Sequence, residues 1–294
     1  MRLKKIFTAV LIFFLIPVSI SAGTNWYVTS DGTGDAPTIA AAIDSASSGD
    51  IILVYGGNYY EEGLIVDGKD ISITAYYGTP VMLAPTPGSG TAITFRNVSS
   101  SQQFYGFKLV GYENAVIYDN ASPSAWFLEI RECVTGLVVT GSASSPDISG
   151  SFIDSCGTAL SVVDALSVSF HNNTVVYEDV GVNMQAGSAT IEKNIFYNCN
   201  SAVECLGGSV TNDCNDFWLN GTDYSGCSAG PGDIFADPIF CFLSPPSPGL
   251  YYPHEDSPCL AENNSCGVNI GAFPKGCIVA VEESSWSEIK SMYK

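Results

Sequence analysis

AVIY at 115–118, GLVV at 136–139, ALSV at 159–162, GVNM at 181–184 and AVEC at 202–205 are five short apolar runs, divided by stretches rich in Gly, Asn, Asp and Ser. ISIT at 71–74 and AITF at 92–95 extend the series towards the N-terminus. The central residues Ile73, Ile93, Val116, Leu137, Leu160, Val182 and Val203 are 20, 23, 21, 23, 22 and 21 residues apart. A period near 21 or 22 built from strands and turns, with no long helical periodicity, reads as a β-solenoid. Other columns keep the same register. Leu109, Ile130, Ile153, Val175 and Phe196 stand seven residues before the anchor, and Tyr118, Val139, Val162, Met184 and Cys205 stand two after it. Such positions alternate as strands with one inward face do. Tyr112, Cys133, Cys156, Glu178 and Cys199 form a further column, and Asn173, Asn194 and Asn215 another.

An open stack of coils needs a cap at each end. Pro37 to Ala46 (PTIAAAIDSA) predicts an amphipathic helix just ahead of the first strand, IILV at 51–54, where an N-terminal cap belongs. Residues 228–277 lose the period and become rich in Pro and Cys.

The stretch YVTSDGTGDAPTIAAAIDSASSGDIILVYGGNYYEEGLIVDGKDISITAYYG at 27–78 resembles the opening coils of the pectin-lyase-like superfold, which includes pectinesterases, pectate lyases and secreted β-helix repeat proteins. ADPIFCF and DSPCLAENNSCGVNIGAFPKGC, within 236–277, resemble the closing segment of bacterial secreted β-helix proteins. The expected fold is all-β: a single-stranded right-handed parallel β-helix of about eight or nine coils, with an N-terminal cap helix and a Cys/Pro-rich C-terminal cap. The expected divisions are a signal peptide at 1–22, the β-helix with its N-terminal cap at 23–227, the C-terminal cap at 228–277 and a tail at 278–294.

The signal peptide rests on a basic start (Met1–Lys5), an apolar core from Ile6 to Ile20 and small residues Ser19, Ser21, Ala22 and Gly23. The expected location is therefore secreted, extracellular or at the cell surface. The core is short for a bilayer and carries Pro17, and no other segment is long and apolar enough to span one. Export leaves 8 Lys+Arg against 30 Asp+Glu, a net charge of −22. A chain this acidic repels nucleic acid, anionic membranes and polyuronates that no cation bridges. Ten cysteines, none before Cys133, suit an oxidising compartment. No CxxC pair of the zinc type occurs, so no metal is assigned, and the bridges are expected among Cys241, Cys259, Cys266 and Cys277 of the cap. Cys133 and Cys156 stack closely enough to bridge, or serve as small apolar core residues.

Pectinesterase strings of the GxxDFIFG type and the polygalacturonase set NTD, DD, HG and RIK are absent from the sequence. In the resembling lyases an Arg or Lys on the outer face of one sheet is the base, with Ca²⁺ held by Asp or Glu. The register offers Lys108, Glu129, Arg131 and Asp154 on successive coils as such a set, and Ca²⁺ is the one cofactor a lyase would imply. The same four charges also read as cross-strand ion pairs that only stabilise the sheet surface. Glu178 and Asp179 with Asp154 could form the carboxylate pair of a glycoside hydrolase, which needs a separation of ~5–10 Å. Asp31 and Asp35 could offer oxygen ligands but lack a full EF-hand pattern, and a turn into the cap helix is the plainer reading. Trp126, Tyr118, Tyr177 and Tyr197 are candidates for a sugar-stacking strip.

Sequons at Asn97, Asn120, Asn172, Asn220 and Asn263 matter only in a glycosylating secretory route. Ser285-x-x-Glu288 in the tail is a capping box, read as a short helix or as a secretion signal. The sequence thus leads to a secreted or surface-associated protein contacting polysaccharide without demonstrable catalysis. A polysaccharide lyase or, less readily, a glycoside hydrolase is the enzyme alternative, and a structural or adhesion protein the third; the oligomeric state is left open.

Overall fold

The computed structural model describes residues 23–241 and 251–277; the proposed signal peptide at 1–22 and the tail with its capping box lie outside them. The chain is a parallel β-solenoid of about nine turns. Each regular coil contributes three strands. In one of them these are Ser124–Trp126, Glu129–Arg131 and Thr135–Thr140. First and second strands stack into a 15-stranded sheet and third strands into an 8-stranded sheet, all pairings being parallel. A parallel strand–crossover–strand connection takes the right-handed path because of strand twist.

Two one-residue corners give each coil its shape. Gly106, Phe127, Gly150, Asn172, Lys193 and Cys214 occupy the first corner of successive coils, all at positive φ between 53° and 79°. Gly111, Glu132, Ser155, Tyr177, Asn198 and Leu219 occupy the second, between 54° and 81°. The left-handed conformation costs an ordinary residue roughly 1–2 kcal/mol. It is held here because the corner amides donate to the next coil, as in Gly106 N to Trp126 O (3.0 Å) and Phe127 N to Ser149 O (3.2 Å). Side chains at these corners leave the core, so Phe127, Tyr177 and Leu219 are exposed.

The interior is filled by the alternation that the sequence displays. Leu109, Ile130, Ile153, Val175, Phe196 and Phe217 pair coil to coil, as do Ile93, Val116, Leu137, Leu160, Val182 and Val203, and all are buried. Ile73 is the exception to the expected anchor column. It pairs with Ile52 and Phe104 in the first sheet, and the partner of Ile93 is Leu64, 29 residues earlier. The long strand Ser72–Leu83 runs through the first corner and lengthens this coil. Alternation fixes which face a residue presents but not which sheet it joins.

The asparagine column is a hydrogen-bonded ladder inside the stack. Asn194 Oδ1 accepts from Asn173 N (2.9 Å) and Asn173 Nδ2 (3.1 Å), and Asn194 Nδ2 donates to Phe170 O (2.8 Å) and to Asn215 Oδ1 (3.1 Å). Ser151 N starts the ladder on Asn173 Oδ1 (2.9 Å), and Asp233 Oδ1 ends it by accepting from Asn215 N (2.8 Å).

Both ends are covered. The cap helix is shorter than expected, seven residues from Ile39 to Ser45, and buries Ile39, Ala42 and Ile43. Thr38 Oγ1 accepts from Ala41 N (3.0 Å), and the Glu61 carboxylate accepts from Ile39 N and Ala40 N (both 2.9 Å). At the other end, bridges join Cys205 to Cys227, Cys214 to Cys266 and Cys241 to Cys277. Cys259 corrects the expectation of a bridge: it is a free buried thiol whose Sγ donates to Asp216 Oδ2 (3.1 Å). Cys133, Cys156 and Cys199 are likewise free and buried.

Asn194→Ala should strip partners from several buried groups at once and cost about 3 kcal/mol or more. Urea unfolding followed by circular dichroism should show that loss as a lower midpoint with an unchanged slope.

Candidate functional site

The outer face of the second strands changes character along the solenoid. One column runs Val81, Lys108, Glu129, Phe152, Thr174, Ile195, Asp216; its neighbour runs Leu83, Val110, Arg131, Asp154, Val176, Tyr197, Trp218. The C-terminal segment folds back over the later, mostly apolar part. Gly271 N donates to Lys193 O (2.7 Å), Ala272 N to Thr174 Oγ1 (2.9 Å) and Asn172 Nδ2 to Asn269 O (2.8 Å). Phe152, Val176 and Ile195 are buried there against Phe240, Tyr251, Cys259 and Ile270. Asp216 lies beneath the same cover, and burial pushes its pKa up to about 7.

Where that cover ends, a cleft opens. Its volume is about 520 Å³, and Tyr77, Tyr105, Phe127, Glu129, Tyr252 and Phe273 stand in its walls. A smaller hollow continues around Phe127 towards Ser149, His171 and Asn269. Tyr77 is 77% exposed and Phe127 58%. Both are non-glycine residues at positive φ, 50° and 54°. Tyr105 meets Phe127 edge-on at 5.7 Å, and Tyr252 stacks on Phe273 at 4.7 Å. His171 Nε2 is 2.9 Å from Asp147 Oδ1, and that hydrogen bond holds the His171 pKa above its ordinary value.

The four expected catalytic residues come together as a linear chain of ion pairs. Lys108 Nζ donates to Glu129 Oε1 (2.8 Å), Arg131 Nε to the same oxygen (2.6 Å), and Arg131 Nη1 to Asp154 Oδ2 (2.9 Å). The Arg131 guanidinium also lies 5.0 Å over the Phe152 ring. Both cations are spent on neighbours, and Glu129 alone of the four lines the cleft.

Burial withdraws Glu178 from the expected carboxylate set, although Asp154 and Asp179 are its charged neighbours. Glu178 is 2% exposed in the column of Cys156 and Cys199, and accepts from Cys156 N (3.1 Å). Burial pushes its pKa up to about 9, so it is a neutral acid inside the stack. Asp179 is held by Asn200 Nδ2 (2.8 Å). The Asp31 carboxylate is occupied by its own turn, accepting from the Thr29 and Thr33 hydroxyls at 2.7 Å each, which lowers its pKa.

The expected aromatic strip is also redrawn. Tyr118 is fully buried and stacks on Phe95 at 6.0 Å, because it occupies an inward position. Tyr177 and Tyr197 pack edge-on at 5.8 Å near the second corner, and Tyr197 packs on Phe240 of the returning segment. Trp126 is half-buried on the outer face, beside Tyr105 in register. Phe127, Tyr77, Tyr252 and Phe273 were not singled out in the sequence. The first-corner column carries a signal, since Phe127 falls 21 residues after Gly106 and 23 before Gly150.

No family model matches the chain, and no curated protein matches it. Among solved structures it is similar to the crystal structure of pectate lyase Pel9A, at 15% identity and a TM-score of 0.33 over 87% of this chain and 98% of that one.

Glu178 gives a pH test. Its folded pKa lies above the ordinary 4.5, so its contribution to stability is complete below about pH 4.5 and is lost as the pH rises towards about 9. Stability should fall with pH across this window, by up to about 1.4 kcal/mol per pH unit from this group. Glu178→Gln should flatten that slope in chemical unfolding at a series of pH values.

Proposed function

We propose that this chain is an exported β-helix that holds polysaccharide in the cleft between the first corner and the returning C-terminal segment, as a binding protein. The observation that carries the reading is Phe127. A bulky side chain kept at positive φ and exposed to water contributes little to folding, yet it forms a wall of the cleft. Around it Tyr77, Tyr105, Tyr252 and Phe273 offer ring faces and hydroxyls, the combination that packs on sugar rings and bonds their edges. Three disulfides fit an oxidising destination.

Binding without catalysis is favoured by the spent ion chain. A lyase needs a cation or base free to meet the substrate, whereas Arg131 already holds Glu129 and Asp154.

Phe127→Gly separates the aromatic wall from the scaffold. Glycine suits the corner, so the melting temperature should stay level or rise by a few degrees, while retention on neutral plant polysaccharides in affinity electrophoresis should be lost. Retention equal to wild type would sink the proposal.

Arg131→Ala leaves Asp154 without its cation and Glu129 with Lys108 alone, at a largely covered surface, and should cost about 2 kcal/mol. It should leave retention in place, and wild-type protein should release no unsaturated uronate. Release that disappears in Arg131→Ala would replace the binding reading with lyase chemistry at this chain of charges.

A further inference from the structure

Five adjacent strands of the larger sheet each carry an outward aromatic side chain, in two columns: Leu53 and Thr74 stand between Tyr27 and Tyr105 in register, and Tyr55 and Tyr76 lie two residues further along their strands. Asn25–Val28, Ile51–Tyr59, Ser72–Leu83, Gln103–Tyr105 and Ser124–Trp126 are neighbours in that sheet and present Tyr27, Tyr55, Tyr76, Tyr105 and Trp126. The ring centres of Tyr27 and Tyr55 lie 6.3 Å apart, those of Tyr55 and Tyr76 5.2 Å, and those of Tyr76 and Tyr77 4.4 Å. Tyr77 and Tyr105 then face the cleft together. The series stops at the next two strands, where Ser149 and His171 succeed Trp126 in register.

These rings are not required by the core. The inward positions of the same strands, Val28, Ile52, Val54, Ile73, Phe104 and Ala125, close the interior with at most 1% exposure each. Tyr27, Tyr55 and Tyr76 also lie outside the cleft itself. The strip spans two outward positions and adds one strand every ~4.8 Å, so four steps cover about 19 Å along the solenoid axis. That shape fits a linear polymer with a recurring apolar face better than the broad patch of a folded partner.

Charge narrows the polymer. The full chain has a net charge of −19, and beside the cleft Lys108 and Arg131 are tied to Glu129 and Asp154. A polyuronate would meet net repulsion with its counter-charges already spent, whereas a neutral glycan needs only ring faces and hydroxyls.

We infer that an extended neutral glycan lies across these strands, from the cleft at Phe127 to Tyr27 at the N-terminal end, each coil offering one ring. This rests on the cleft being a glycan site and adds the direction, the length and the charge class of the ligand.

The test is calorimetric titration of the exported chain with cellobiose and cellohexaose, the corresponding xylo- and manno-oligosaccharides, and hexagalacturonate. In at least one neutral series the hexasaccharide should bind more than about tenfold tighter than the disaccharide, because it reaches further rings. Tyr27→Ala should cut that ratio of affinities by about tenfold, and Tyr27→Leu, which keeps apolar bulk for packing on Tyr55, should cut it as well. A ratio unchanged in both folded variants overturns the strip and leaves the cleft standing if Phe127→Gly still loses binding. Tighter binding of hexagalacturonate than of every neutral hexasaccharide overturns the charge class. Failure of wild type to bind any of these probes overturns strip and cleft together.

Discussion

Each coil turns the chain sharply twice within a few residues, and both turns rest on a single residue at positive φ. The cost of those bends is met by hydrogen bonds to the next coil, so no coil is stable alone and all of them must stack in register. Register then places equivalent positions above one another. The Asn173–Asn194–Asn215 ladder exists because three identical side chains fall on one line, each amide both giving to and taking from its neighbours. The same rule lines up Cys133, Cys156, Glu178 and Cys199 in a buried column where one acid must stay protonated.

Stacking also projects a linear pattern onto the outside. The second-strand face is charged at Lys108, Glu129, Arg131 and Asp154, and mostly apolar from Phe152 to Ile195. The apolar part must be covered, and the C-terminal segment covers it, tied to a coil by Cys214–Cys266 and closed on itself by Cys241–Cys277. The cleft is a consequence of where this cover stops. Its walls come from the first corner on one side and from Tyr252 and Phe273 on the other, more than 100 residues apart along the chain.

Periodicity of two assigns a residue to an inward or outward face only when the strand is correctly placed in its coil. Tyr118 is two residues past a core anchor and therefore points inward, in one column with Val139 and Val162. Glu178 shares a column with cysteines and follows them inside. Ile73 matched the period by coincidence, since the irregular coil after it is longer than the rest. Of the four bridging cysteines expected, Cys241, Cys266 and Cys277 are bridged, but Cys266 reaches back to Cys214 on a coil, and Cys259 ends against Asp216.

The sequence by itself determined the solenoid, its period, its core columns and the cross-strand neighbours Lys108, Glu129, Arg131 and Asp154. All of these follow from repetition, and repetition is local information that stacking merely copies. Only the tertiary structure decided that those charges close on one another, that the cap lies along the side of the stack, and that Tyr77, Tyr105 and Phe127 meet Tyr252 and Phe273 in one cleft. Those outcomes depend on an aperiodic segment finding its place on a periodic surface, and no spacing within the chain encodes where it stops.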